Sequence, residues 1–252
     1  MVMIKILNRL NALALLVVIF GATSVMADSN TEWNRSVAFY LWLADTELDA
    51  KKDGESVGGG TIKFEDLVDK TEFGYAILAE IGPAEGRWSV FADLAYFELA
   101  DRVGLDGLDI KVDVEATMLD LAGVYSPAST DGNFGLYAGI RYLSIDSGLR
   151  IGFPEGGKEK IAIDDSYADA LIGARFRTDL TEKWSLKIRG DASTGDTEYT
   201  YQVEGLFGYR FGKAENMQLL LGYRYRETEI EEGGVTQEIV TEGPIAAFRY
   251  DF

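Results

Sequence analysis

Charged residues recur at alternate positions inside segments whose other face is apolar, and they are the groups with the most chemistry to offer. Arg224 and Arg226 do so beside Tyr223 and Tyr225, Lys187 and Arg189 beside Leu186 and Ile188, and Arg175 and Arg177 beside Ala174 and Phe176. An extended chain sends neighbours to opposite faces, so each run gathers its charges on one side and its apolar groups on the other. The set sorted this way is Glu80, Asp93, Asp120, Arg141, Arg175, Arg177, Lys187, Arg189, Asp191, Glu204, Arg210, Arg224, Arg226, Arg249 and Asp251. Nine of these are basic and six acidic, although the whole chain carries 42 acidic residues against 24 basic ones. Such a set can line a path for anions or hold an acidic ligand. It can equally fill a confined interior with ion pairs, because buried charge is tolerated only when it is paired.

Other chemistry is scarce. Histidine and cysteine are both absent. Ser-His and Cys-His nucleophile pairs therefore drop out, as do most zinc sites. Histidine is also the side chain whose ordinary pKa suits acid–base work near neutrality. Asp164-Asp165 and Glu231-Glu232 are adjacent carboxylates, but neighbours in a strand diverge, so they read as solvated charge. Gly58-Gly59-Gly60 lacks the Gly-Lys-Ser/Thr continuation of a phosphate loop. No catalytic, cofactor-binding or metal site is expected, and the chain is not expected to be an enzyme. The net charge of −18 argues against nucleic acid as a partner. Glu47, Asp49, Asp53, Glu229, Glu231 and Glu232 fall in or at the edge of the outer loops, where carboxylate oxygens suit at most weak association with divalent cations.

The elements that must position these charges begin after a leader. Lys5 and Arg9 precede an apolar run from Ala12 to Gly21, and Val25-Met26-Ala27 fits the small-residue rule for cleavage. A signal peptide is expected over 1–27 and the functional domain over 28–252. The remaining chain holds no apolar stretch long enough for a membrane helix, so any crossing of a bilayer must use strands. Ten stretches have period-two character: 35–48, 71–82, 87–100, 109–126, 133–148, 160–178, 184–193, 197–211, 217–230 and 239–252. Their connections alternate between long and short. The segments 49–70, 101–108, 149–159 and 231–237 read as loops, whereas Pro83 to Gly86, Asp179 to Lys183 and Gly212 to Asn216 read as tight turns. Short turns on one side and longer loops on the other are the topology of bacterial transmembrane barrels.

Aromatic residues agree. Trp88, Tyr125, Phe134, Phe176, Trp184, Phe211 and Phe252 all lie near the short turns or the C-terminus, where an interfacial girdle belongs. On the third stretch Trp88, Val90, Ala92, Leu94 and Tyr96 share a face. Eight steps of about 3.3 Å span roughly 26 Å of strand, the height of a tilted lipid belt. With aromatics taken as lipid-facing, the charged set above lines the lumen.

Tyr40-Leu41-Trp42, Gly86-Arg87-Trp88-Ser89, Gly139-Ile140-Arg141-Tyr142-Leu143 and Gly222-Tyr223-Arg224-Tyr225 resemble a family of porin-like outer-membrane β-barrel proteins from Gram-negative bacteria. Asp169-Ala170-Leu171-Ile172-Gly173-Ala174-Arg175 and Gly243-Pro244 extend the resemblance over nearly the whole domain. It implies an all-β, antiparallel transmembrane barrel of about ten strands in the outer membrane; the pattern also leaves eight or twelve open. It further implies contact with outer-membrane lipid and lipopolysaccharide, and recognition of the terminal aromatic by the barrel-assembly machinery. It brings no catalytic motif. The expected function is a narrow conduit or binding barrel for small polar or anionic solutes. The alternative is a closed structural or surface-interaction barrel with acidic outer loops.

Overall fold

Among the described residues, period-two segments separated by turns give twelve strands: β1 (Trp33–Trp42), β2 (Asp45–Lys52), β3 (Glu55–Ile62), β4 (Thr71–Pro83), β5 (Trp88–Leu105), β6 (Leu108–Tyr125), β7 (Phe134–Gly152), β8 (Lys158–Asp179), β9 (Trp184–Gly195), β10 (Tyr199–Phe211), β11 (Met217–Glu232) and β12 (Val235–Asp251). The computed structural model describes residues 32–63, 65, 71–105, 108–127, 133–152, 158–212 and 215–252. The leader expected over 1–27 lies outside the described residues. Strands β1 and β4 to β12 pair in that order, and β1 also pairs with β12, which closes a ten-stranded barrel. The closing seam is antiparallel, with Val37 opposite Tyr250 and Phe39 opposite Phe248, and the Phe252 amide donates to the Arg35 carbonyl at 2.8 Å.

The two further strands continue the wall. Along β12 the partners run from Ser36↔Asp251 to Trp42↔Ile245 and resume at Asp45↔Glu242 without a register slip. The Leu43 amide bridges the interval by donating to the Pro244 carbonyl at 2.9 Å. β1 and β2 therefore form one long stave. With β12 on one edge of that stave, β4 takes the other edge low down and β3 takes it higher up. The segment 49–70, read from sequence as a loop, thus contains a hairpin. Asp53 and Gly54 turn it with φ of 53° and 81°, the left-handed pair that a two-residue hairpin turn requires. Gly233 and Gly234, at 60° and 77°, do the same between β11 and β12.

Two other expected loops are corrected in the same way. β5 and β6 stay paired out to Leu105↔Leu108, and β7 and β8 out to Gly152↔Lys158. Val103 and Leu105, like Leu149 and Ile151, keep the alternation only briefly beside glycines and charges, but backbone pairing needs no particular side chain and continues past them.

The side chains are sorted inside-out. Ile172 is 66% exposed, Leu41 62% and Phe207 55%, whereas Gln202 is fully buried and Arg224 is 4% exposed. Aromatic pairs ring both rims of the outer face. At the turn end Trp88 packs on Tyr125, Trp184 on Tyr209 and Phe211 on Phe248, with ring centroids 4.7, 5.0 and 6.2 Å apart. At the loop end Tyr201 stacks between Tyr199 and Tyr225, at 6.0 and 5.9 Å. From Tyr201 to Tyr209 the strand covers about 27 Å, or roughly 20 Å of membrane normal at a tilt near 40°. On β5 the outward register carries Trp88 and Val90, which are exposed, and continues through Ala92, Leu94 and Tyr96, which are buried.

Candidate functional site

The inward face is built by parity. Asp120 on β6 stands directly opposite Asp93 on β5 and Arg141 on β7, Arg141 stands opposite Asp169 on β8, and Glu204 on β10 stands opposite Arg189 on β9 and Arg224 on β11. β5, β6, β7 and β8 thus deliver one run of inward charges and β9, β10 and β11 another, and the two runs are offset between β8 and β9, where Asp169 stands opposite Gly195 and Arg189 opposite Arg175. A ten-stranded barrel is close to the size at which side chains fill the interior, so these groups meet across it.

They meet as a belt. Arg141 grips Asp120 with two bonds of 2.8 Å and donates to Asp191 at 2.7 Å. Arg189 reaches three carboxylates: Asp93 at 2.9 Å, Asp120 at 2.9 Å and Asp191 at 3.1 Å. Arg224 donates to Glu204 at 2.8 Å and to the Tyr40 hydroxyl at 3.3 Å, while that hydroxyl donates to Asp93 at 2.7 Å. Arg226 donates to the Gln202 carbonyl at 3.0 and 2.6 Å, and the Gln202 amide reaches Asp191 at 3.3 Å. Three guanidinium groups thus share four carboxylates, the fourth, Arg226, is tied to them through Gln202, and almost every member is buried. Arginine suits such a place because its planar fork holds two acceptors at once and it carries less hydration to lose than an ammonium.

Inward aromatics complete the belt, and they correct the assignment of aromatics to lipid. The Arg189 guanidinium lies over Phe91 at 5.3 Å and Tyr137 at 5.9 Å, and Arg224 over Tyr40 at 5.0 Å and Trp42 at 5.1 Å. These are cation–π contacts, strengthened where water is excluded. Tyr137 also donates to Asp191 at 2.7 Å. Its ring lies across Gly173, where a Cβ would come within 2.3 Å of it, so a glycine is required opposite this tyrosine. The signal was present in the sequence: Tyr137 has the parity of Arg141, and Phe91 that of Asp93. Tyr40 and Trp42 gave none, because β1 carries no inward charge from which to count. Gln202 and Gln218 were missed for being uncharged, although they share parity with Glu204 and Arg224.

The remaining members of the sequence-derived set lie nearer the turn end, around a chamber of about 550 Å³ roofed by Phe91, Tyr137 and Arg189. Arg175 pairs with Glu80 at 3.0 and 2.5 Å, and Ser89 donates to Glu80 at 2.7 Å. Arg249 pairs with Asp251 at 2.8 Å, and Arg210 pairs at the rim with Asp179. Arg177 and Lys187 stand directly opposite each other on β8 and β9. Lys187 donates to the Gln218 carbonyl at 2.8 Å, and Gln218 in turn donates to Ser185 at 2.7 Å. Among the described residues no three carboxylates come together as a metal site.

No family model matches the chain, and no curated relative matches it. Among solved structures it is similar to the translocator domain of autotransporter NalP from Neisseria meningitidis, at 12% identity over 96% of this chain and 98% of that one, with a TM-score of 0.48. It is similar to the outer membrane protease OmpT from Escherichia coli at 12% identity over 89% and 98%, with a TM-score of 0.44. For Ail, the attachment invasion locus protein of Yersinia pestis, in complex with the heparin analogue sucrose octasulfate, the values are 11%, 87%, 99% and 0.38. The likeness concerns barrel outline alone. The physical assignment rests on this chain's own features: a closed barrel with charge inside, apolar side chains outside and aromatic rims. That is a transmembrane β-barrel of the Gram-negative outer membrane, in an environment of lipid and lipopolysaccharide.

Proposed function

We propose that this protein is a non-enzymatic outer-membrane barrel held closed at rest by its ion-pair belt, so that its work is done at its two ends rather than by free flow through the lumen. The observation that carries the reading is the belt: the charges that would line a water-filled path are instead bonded to one another across it. Arg141 and Arg224 are 5% and 4% exposed, whereas groups along an open aqueous channel would be wetted. A second reading, a narrow conduit for small anions, draws support from the chamber below the belt, which would serve as its vestibule if the belt opened.

Single-channel recording of the refolded protein in planar bilayers tests the reading. The intact barrel should show no sustained conductance. Asp120→Ala, which takes a carboxylate from both Arg141 and Arg189, should introduce current with a preference for anions. Large steady conductance of the unmodified protein would reject the closed state and favour the conduit.

Export by a leader over 1–27, and recognition of the closing strand by the barrel-assembly machinery, complete the proposal. Phe252 packs edge-on against Tyr250 at 4.8 Å on the last stave. Deleting Phe252 should lower the amount of folded, heat-modifiable protein in outer membranes; unchanged levels would remove the terminal aromatic from the account.

A further inference from the structure

The chamber differs from the belt in one respect that the closed state does not explain: two of its cations, Arg177 and Lys187, face each other without a carboxylate partner among the described residues. Eight basic side chains line it against three acidic ones, in a chain whose net charge is −18. The acidic groups are already engaged, Glu80 by Arg175 and Asp251 by Arg249. Arg177 and Lys187 face each other across β8 and β9 with no carboxylate of the described residues within ion-pairing distance. Like charges directly opposite on one sheet face repel.

The neutral groups nearby do not relieve them. The Gln218 carbonyl takes one Lys187 proton, and its amide is spent on Ser185. Lys187 keeps two donors and Arg177 its whole fork. Gln218 also stands directly opposite Arg249 on β12 and Arg210 on β10, so the cations lie on adjoining staves around one amide. The chamber is accessible from the turn end and roofed by the belt. It is concave and of the size of a small-molecule site.

We propose that this chamber is a binding site for a small soluble oligoanion bearing phosphate groups, which enters from the turn end and is held by Arg177, Lys187 and Arg249. Donors arrive from three staves as one ammonium, the Arg177 fork and the part of the Arg249 guanidinium that Asp251 leaves open. A tetrahedral phosphate, with oxygens facing several directions, can use all of them. A planar carboxylate is satisfied by one fork. A lipid headgroup is a poor fit, because the groups point into the aqueous lumen and not onto the lipid-facing surface. The site does not depend on the belt being closed, so conductance and binding test separate statements.

The experiment is calorimetric titration of the detergent-folded barrel with inorganic pyrophosphate, and with citrate as a carboxylate comparator, at low and moderate salt. Pyrophosphate should bind saturably with one site, more tightly than citrate, and more weakly as salt rises. Lys187→Gln and Arg177→Gln should each weaken it at least tenfold, whereas Lys51→Gln on the β2–β3 hairpin should leave it unchanged. Thermal unfolding without ligand gives a second readout. If the two cations serve an anion and not the fold, Lys187→Gln should unfold no earlier than the unmodified protein. Absence of saturable pyrophosphate binding, equal or tighter binding of citrate, affinity indifferent to both substitutions, or early unfolding of Lys187→Gln would each overturn the proposal.

Discussion

The belt and the chamber occupy the same lumen, are built by the same parity rule and draw on the same residue types, yet they solve opposite problems. In the belt, four guanidinium groups and four carboxylates balance in number, and Tyr40, Tyr137 and Gln202 link them further, Gln202 being the partner of Arg226. In the chamber, Arg177 and Lys187 are left facing each other. Burial explains the difference. Where water is excluded, an unmatched charge is costly, so the set must close on itself. Where water enters, repulsion is screened and an excess of one sign can persist. Matched charge would hold the barrel shut under the proposed reading, while unmatched charge beside a cavity would be available to an anion.

The largest effect should come from breaking the belt at its most shared member. Asp120→Ala removes a partner from both Arg141 and Arg189 and should cost about 3–5 kcal/mol, read as a shift in the denaturant midpoint of the refolded barrel. A change under about 1 kcal/mol would mean that these charges are solvated.

Next comes the outer face. Val203 points to lipid beside inward-facing Glu204, and Val203→Arg should destabilise by about 2–4 kcal/mol near the midplane. A cysteine at 203 should react with lipid-dissolved probes and one at 204 should not. The reverse pattern would shift the register of β10 by one residue and turn belt and lipid face inside out.

A smaller effect tests the neutral members of the belt. Tyr40→Phe keeps the ring under Arg224 but removes the hydroxyl that bonds both Arg224 and Asp93. The cost should be about 1–2 kcal/mol by the same unfolding measurement. If Tyr40→Ala costs no more than Tyr40→Phe, the ring contributes nothing and the cation–π contact can be set aside.

The smallest effect should have the opposite sign. Lys187→Gln in the chamber removes a like-charge pair and should leave stability unchanged or raise it by up to about 1 kcal/mol. Equal losses from Asp120→Ala and Lys187→Gln would erase the distinction between the two regions.

What could be read from residues alone was parity, and parity goes far in a barrel. Arg224 and Arg226 alternating with Tyr223 and Tyr225, or Lys187 and Arg189 with Leu186 and Ile188, were enough to assign faces, because a strand has a period of two whatever surrounds it. Turn chemistry and aromatic placement located the rims for the same local reason. The hairpins were harder: Asp53-Gly54 and Gly233-Gly234 lay inside segments read as loops, because the strands flanking them carry too few apolar residues to show a clear period of two.

Partnership was beyond reach. Arg189 and Asp93 are 96 residues apart, and Tyr40 and Arg224 are 184 apart. Whether each such pair meets depends on strand number, stagger and curvature, which bring opposite walls together. The sequence supplied an inward basic excess, and only closure of the wall divided it into a neutral belt and a cationic chamber. Pairing across a lumen is a property of its diameter, and no single strand contains that distance.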